Sequence, residues 1–526
     1  MEKPMLLIGK CCYNNGIWFV ILSSYLLCLL FFLLDISTFP RIRNFPANKT
    51  VPNLTRNQST INDHHHDESV LSDHLYSLNI TNNNITQISS TATTENHFDS
   101  CSGRYIYIQD LPSQFNDDLL RNCHILEKSR DMCPCVSNNG FGTKLEDGNS
   151  KRVLIKNGWF MTDQFTLEVI FHNRMKKYKC LTSDSSMASA IFVPYYSGLD
   201  VAQYLLSNIS VRDASARKLV GFLAKRPEWK TMWGRDHFMI GGRVAWDFRR
   251  QTDNENDWGS KLMLLPESKN MTLLSVESSF SNNDVSIPFP TYFHPSKGSE
   301  VFFWQERMRK RERRYLFSFA GAPRPGQQDS IRSELINQCK SSIEHCKFMG
   351  CHGSNNPCEN PKKVMGLFQN SIFCLQPSGD AFTRRSTFDS ILAGCIPVFF
   401  HPRTAYTQYW WYFPKNYSEY SVFISQNDIK EKRVMISAKL LGVSKDQVLE
   451  MREEVIRLIP KIIYGDWSST TSGFKRKFED AFDIAVKGLL ERVEKLRKKM
   501  RDGEDPNEGL EENQGQFDWL WKELGF

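Results

Sequence analysis

Beyond residue 100 the hydrophobic pattern alternates between two rhythms. Short apolar runs closed by Gly, Pro or Asp read as buried strands: 104–112 (RYIYIQDLP), 189–200 (SAIFVPYYSGLD), 261–268 (KLMLLPES) and 273–279 (LLSVESS). Residues 162–174 (TDQFTLEVIFHNR) carry helical periodicity, and 287–295 (IPFPTYFHP) read as the exit from a first α/β unit. A basic helical stretch at 303–314 opens a second series. It runs strand and Gly/Pro loop (314–325), helix (329–339, capped by Asp329 or Ser330), strand and loop (371–380), helix (383–392) and strand (395–402). Amphipathic helices follow at 448–459 and 473–500. Alternating strands and helices predict parallel sheets, with ligands at the carboxyl ends of the strands. The expected fold is therefore α/β, with two Rossmann-like doubly wound domains facing a cleft. The domains are 101–305 and 306–470, and a helical segment spans 471–526.

The first hundred residues follow neither rhythm. Residues 17–34 hold no charge, and eighteen helical residues reach roughly 27 Å, enough to cross a bilayer. The run ends without the small residues of a signal-peptidase site, so it reads as an uncleaved transmembrane signal anchor behind a cytosolic tail of 1–16. Residues 35–100 contain 10 Asn and 17 Ser or Thr, the composition of a disordered stem. The run His64-His65-His66 within it reads as solvated low-complexity sequence, with metal binding the alternative. Basic residues flank the span on both sides, so charge does not orient it. Glycosylation sequons do. They begin at Asn48, Asn53, Asn57, Asn79, Asn84, Asn208, Asn270 and Asn416, all after the span. The pattern implies a type II membrane protein with its bulk in the secretory lumen.

Eleven of the 14 cysteines follow the span, where disulfides form. Cys339, Cys346, Cys351 and Cys358 crowd one loop-like stretch at spacings that suit disulfides better than zinc knuckles. Cys101, Cys123, Cys133 and Cys135 mark a second disulfide region. Cys374 and Cys395, in apolar runs, are expected to be buried free thiols. An odd total leaves at least one thiol without a partner inside the chain. The net charge of +7 over 526 residues forms no basic block, so nucleic acid is not an expected partner. With 24% charged and 12% aromatic residues the chain is neither disordered overall nor a coiled coil.

The densest chemistry lies in 371–402. A strand ends at Pro377, and Gly379 in the loop Ser378-Gly379-Asp380 lets a ligand approach the backbone. A helix opens near Thr383 with free N–H groups at its mouth. Arg384 and Arg385 stand there with the wrong sign for the helix dipole, a conflict that a bound anion such as a diphosphate removes. Asp389, one turn on, is placed to accept from ribose hydroxyls, and Arg324 after the preceding strand to reach a phosphate or base. No Asp-x-Asp pair exists in the chain, so protein cations rather than a metal are expected to stabilise the leaving diphosphate. The plain alternative is an arginine pair on the surface of an ordinary Rossmann-like helix.

The stretch FCLQPSGDAFTRRSTFDSILAGCIPVFF (373–400) closely resembles the nucleotide-sugar site of the exostosin-type glycosyltransferases. GRYIYIQDLPSQFN, WFMTDQFTLEVIFHNRM, IFVPYYSGLD, WGRDHFMIGGRVAWDF, YLFSFAGAPRP and AYTQYWWYFPKN resemble, in order, blocks of the plant xyloglucan galactosyltransferase subfamily. The resemblance implies a GT-B fold, a UDP-sugar donor, inversion at the anomeric carbon, Golgi residence and no catalytic metal or cofactor. It implies that Arg384 and Arg385 face the diphosphate and Asp389 the ribose. The usual Gly-Asp-Ser is here Gly379-Asp380-Ala381, one hydroxyl fewer at the donor.

On that resemblance the expected activity is transfer of galactose from UDP-galactose to xylosyl side chains of xyloglucan, at the Golgi membrane, in plant cell-wall synthesis. Other cell-wall glycosyltransferases are possible partners in complexes. Inversion needs one base, and Asp236 with His237 is the expected pair. Asp163, Asp200 and Asp110 are its rivals. The aromatic run Tyr406, Tyr409, Trp410, Trp411, Tyr412 and Phe413 suits either a glucan platform or core packing. Trp233, Trp246 and Trp258 carry the same two readings. Galacturonic acid or a pentose as donor sugar, a mannan acceptor, and a non-catalytic glycan-binding or scaffold protein are the alternatives. A hydrolase lacks a well-placed carboxylate pair.

Overall fold

The computed structural model describes residues 99–145, 153–279, 281, 283–327, 330–353, 356–467, 478–506 and 517–524. The expected anchor, the expected stem up to residue 98, five sequons (Asn48, Asn53, Asn57, Asn79 and Asn84) and Asp329, one of the two expected helix caps, lie outside them. Among the described residues, no helix is long and apolar enough to cross a membrane.

Eleven strands among the described residues form two all-parallel sheets. The first holds β1 (Tyr105–Ile108), β2 (Leu181–Thr182), β3 (Ala188–Phe192), β4 (His237–Gly241), β5 (Thr272–Ser275) and β6 (Asp284–Ser286) in the order β2-β1-β3-β4-β5-β6. The second holds β7 (Tyr315–Gly321), β8 (Cys346–Gly350), β9 (Ser371–Gln376), β10 (Ile396–Phe399) and β11 (Val422–Phe423) in the order β11-β10-β9-β7-β8. In each sheet the first strand of the series lies between the second and the third. The chain thus leaves the first and third strands in opposite directions, and a crevice opens between their carboxyl ends. In the second sheet it lies between β7 and β9. The central strands are buried over nearly their whole length, as a parallel sheet covered on both faces requires.

Helices explain the cover. α1 (Leu167–Met175) packs on β4, and α2 (Ala214–Leu223) buries Leu219 and Leu223 in a satellite core. α3 (Gly298–Arg309), α4 (Arg332–Ser341), α5 (Pro361–Gln369), α6 (Arg385–Leu392) and α7 (Lys445–Leu458) surround the second sheet. α5 starts as its sequence dictates, with the Asn360 side chain accepting from Lys362 and Lys363 N–H and Pro361 at the first turn.

Some expectations change. The boundary at 305/306 falls inside α3, whose Trp304 donates to the carbonyl of Leu392 at 2.8 Å, so that helix packs with the second lobe. Residues 261–268 form a 3-10 turn at Leu262–Leu264 instead of a strand. Leu262 and Met263 bury in the satellite core, and a short apolar run serves either purpose. The helix expected to begin at 329 starts at Arg332, after Ile331, with no side-chain cap. α8 (Ala481–Arg501), capped by Asp480, returns to the first sheet. There Arg497 donates to the carbonyls of Ala188 and Ser189, both at 3.0 Å, and Glu494 pairs with Arg104.

Among the described residues, five disulfides join Cys101–Cys180, Cys123–Cys133, Cys339–Cys346, Cys351–Cys358 and Cys374–Cys395. The expectation that Cys374 and Cys395 are free thiols is therefore corrected. α6 carries the chain back so that β10 pairs with β9, which sets the two Cα atoms 5.9 Å apart, within bonding reach. Cys135 is the free cysteine among the described residues. Of the described sequons, Asn208 and Asn416 are exposed, whereas the Asn270 amide donates to the Trp233 carbonyl.

The aromatic run is packing. Tyr406, Tyr409, Tyr412 and Phe413 are buried. The Tyr409 hydroxyl donates to the Val276 carbonyl of the first lobe at 2.7 Å, and that of Tyr412 to Ala481. The Trp411 ring lies against Gly488 of α8, where a Cβ would come within 2.7 Å of it.

Candidate active site

A cleft of about 1050 Å³ opens between the carboxyl ends of the two sheets. Its second-lobe wall is the β7/β9 crevice, and three guanidiniums converge there. Arg324 leaves the loop after β7 and pairs with Asp380 at 3.1 Å. Arg332, on the first residue of α4, donates through Nε to the Ser378 carbonyl at 2.8 Å. Arg384, just before α6, donates to the carbonyls of Ala320 (3.2 Å) and Pro377 (3.5 Å). Burial, then the charges of Arg332 and Arg324, push the Arg384 guanidinium down to about 9. Burial and Arg324 push Arg332 down to about 10. Like charges crowded out of water favour a bound anion, which would reverse both shifts.

Arg385 and Asp389 are arranged differently. The Arg385 guanidinium stacks 3.6 Å from the centre of the Tyr292 ring and donates to the Thr162 carbonyl of the first lobe. Its Nε lies 3.6 Å from Asp389. Arg385 Nη2 and Asp389 Oδ1 are buried beside the cleft without a protein partner, and burial raises Asp389 to about 6. Polar atoms so placed cost free energy unless a ligand meets them. Thr383 is committed elsewhere: its N–H and Oγ1 both donate to Glu277 Oε2 at 2.6 Å, tying the loop after β9 to the first lobe.

The first-lobe wall comes from the loop before α1 and the segments after β4 and β5. It contributes Asp163, Arg243, Trp246, Asp247 and Trp258. Asp163 is held by Arg130 at 2.6 Å.

A model of the exostosin GT47 domain matches residues 100–440, more than half of the chain and both sheets. The chain belongs to the exostosin GT47 family. Among curated relatives it is 52% identical to xyloglucan galactosyltransferase MUR3 of Arabidopsis thaliana, over 79% of this chain and 66% of that protein. It is 48% identical to a probable xyloglucan galactosyltransferase, GT14, of the same plant, over 94% and 92%. Identity to a xyloglucan-specific galacturonosyltransferase of that plant is 40%, over 75% and 58%. Among solved structures, the pneumococcal O-GlcNAc transferase GtfA in complex with UDP and GlcNAc overlaps 56% of this chain and 60% of its own. Its identity is 10% and its TM-score 0.26.

This GT47 chain is a glycosyltransferase, and its sequence-predicted residues divide in space. Arg324, Gly379, Asp380, Thr383, Arg384, Arg385 and Asp389 all line the one cleft. Asp236 and His237 do not, so the expectation that they act as the base is corrected. Both are buried at the amino end of β4, the end opposite the cleft. His237 Nδ1 binds Asp236 at 2.8 Å, and Asp236 faces Arg497 of α8 at 3.5 Å. Among the rivals, Asp163 lines the cleft, Asp200 is buried under the Tyr195 hydroxyl at 2.6 Å, and Asp110 lies exposed outside it. The role foreseen for Gly379 also shifts. Its missing Cβ makes room for Arg332, whose Nη2 would lie 2.8 Å from it.

Arg332 itself was missed. It carries the signature already used for Arg384, an arginine at a helix start just after a strand and a Gly/Pro loop. For the exposed pair Trp246 and Trp258, 6.4 Å apart between ring centres, the sequence supports packing and binding alike. No local pattern places either ring in the cleft.

Proposed function

We propose that this GT47 glycosyltransferase transfers galactose from UDP-galactose to the xylosyl side chains of xyloglucan, in plant cell-wall synthesis. The observation that carries the reading is the convergence of Arg324, Arg332 and Arg384 on the β7/β9 crevice, answered there by Asp380. An organic diphosphate fits that charge, and its departure as a leaving group is stabilised by it. The two parallel sheets facing a cleft suit a GT-B enzyme that closes on donor and acceptor. The named activity of the relatives supplies the acceptor and the sugar. In this reading the reaction inverts the anomeric centre and needs no metal, because the arginines supply the cations. The enzyme works in the Golgi lumen, anchored through residues 17–34, alone or beside other cell-wall glycosyltransferases.

The relative that transfers galacturonic acid favours one second reading, UDP-galacturonic acid as donor. The test is an assay of the full-length protein in detergent with a panel of UDP-sugars, xyloglucan oligosaccharides and a chelator. Galactose transfer that survives the chelator is expected. Transfer of galacturonic acid alone would replace the donor, and chelator inhibition reversed by manganese would remove the metal-free mechanism.

A further inference from the structure

Resting on that reading, we propose that Trp246, Trp258 and Asp247 form the acceptor subsite, where the two indoles stack the pyranose rings and Asp247 takes the proton of the attacking hydroxyl.

The wall facing the arginines belongs to the first lobe. Trp246 is 39% and Trp258 44% exposed there, whereas Phe289 and Tyr292, which also line the cleft, are buried. Large indole faces left to water in a cleft are surface for a ligand, and a pyranose presents a C–H face that covers them. The pair is built rather than loose. Trp258 Nε1 donates to Asp247 Oδ1 at 2.6 Å, which fixes the ring against the carboxylate. Gly259, at φ +86°, folds the segment back so that Ser260 N–H donates to the Asp247 carbonyl at 2.8 Å. A Cβ at Gly259 would lie 2.6 Å from that carbonyl oxygen, so a side chain there would break the arrangement.

Three carboxylates line the first-lobe wall among the described residues: Glu127, Asp163 and Asp247. Arg130 holds the first two in short ion pairs of 2.5 and 2.6 Å. Arg243 Nη1 donates to Asp247 Oδ2 at 3.5 Å, a long bond, while its Nε donates to the Gly198 carbonyl at 3.1 Å and the guanidinium stacks on the Phe165 ring at 4.3 Å. Oδ2 keeps a second lone pair with which to accept from a sugar hydroxyl. Burial raises the pKa of Asp247, which strengthens it as a base.

In the step, the acceptor O–H bond breaks and its proton passes to Asp247 Oδ2. The freed oxygen bonds to the anomeric carbon. The bond from that carbon to the diphosphate oxygen breaks, and its electron pair leaves with UDP, whose charge the arginines take up.

The experiment uses the full-length protein with UDP-galactose and a xyloglucan oligosaccharide, and measures UDP affinity by calorimetry. Trp246→Ala is expected to raise the acceptor KM about tenfold, with UDP affinity within twofold. Asp247→Asn is expected to lower kcat about 100-fold or more, with UDP affinity again kept. Trp258→Phe, which retains a ring but loses the N–H, separates stacking from orientation: it should keep the acceptor KM and lower kcat. An acceptor KM within twofold for Trp246→Ala, or more than a tenth of kcat in Asp247→Asn, overturns the subsite. Wild-type turnover in the same assay judges the galactosyl reading independently, so the two failures are distinguishable.

Discussion

Gly379 and Arg332 occupy each other's space. A Cβ on Gly379 would lie 2.8 Å from Arg332 Nη2, and that guanidinium is pinned by the carbonyls of Ser378 and Ala322. Gly379→Ala therefore displaces Arg332 at the expense of those hydrogen bonds. UDP affinity should fall about tenfold, near 1.4 kcal/mol, as read by calorimetry. Unchanged affinity would show that Arg332 does not meet the nucleotide.

Arg384 is crowded by Arg332 and Arg324 before any ligand arrives. Arg384→Met relieves that repulsion, so thermal stability should hold or rise. Donor binding should weaken about 100-fold, on the order of 3 kcal/mol for a lost charged donor in a cleft. Calorimetry and a melting curve together check the split. A variant that loses stability and keeps UDP binding would make Arg384 a structural residue.

The loop after β9 is tied to the first lobe through one carboxylate. Thr383→Val removes the Oγ1–H donor to the buried Glu277 and leaves its backbone N–H in place. The expected loss is about 1–2 kcal/mol of stability, with a rise in donor KM as the loop loosens. Urea unfolding and steady-state kinetics measure the two effects. A wild-type midpoint and KM would remove this tether from the account.

His294 is buried between the Thr162 hydroxyl and the Tyr464 carbonyl, and burial pushes its imidazole down to about 3. An ordinary histidine titrates near 6.5. Between those values the unfolded chain holds a proton that the folded one does not, so acid favours unfolding. From pH 7 to pH 5 this one residue should cost about 2 kcal/mol of stability. His294→Gln should flatten that part of the pH dependence. An equal acid slope in the variant would place the sensitivity elsewhere.

The Cys374–Cys395 bridge closes a loop that contains the donor segment and α6, at a sequence separation of 21. Replacing both cysteines by serine should cost about 3 kcal/mol through the freedom returned to the unfolded chain. Differential scanning calorimetry reads the loss, and a melting temperature within a degree of wild type would contradict it.

Local patterns carried much of this molecule. Apolar runs closed by Gly and Pro located β3, β7, β9 and β10, because a strand buried on both faces must be apolar nearly throughout, and the same pattern located the half-buried β1. Arg384 and Arg385 were legible because their charge opposes the helix start that holds them, and Arg324 because it sits in the Gly/Pro loop after a strand. Asp236 and His237 misled for a related reason: residues adjacent in sequence and chemically apt carry no mark of which end of β4 they occupy. That end is decided by the direction of the strand within the sheet. The pairing of β10 with β9 made Cys374 and Cys395 partners, although neither run signals the other. Arg332 joined the arginines only because α4 starts against the loop that follows β9. Trp246, Asp247 and Trp258 became one wall through the left-handed turn at Gly259 and the meeting of the lobes. Neighbours a few residues apart were enough to locate most of the long buried strands and the positive charge at the start of α6, because local apolar runs and helix-end charges are short-range features. Tertiary structure alone decided which side chains share the cleft, since that depends on sheet order and on contacts between residues more than a hundred positions apart.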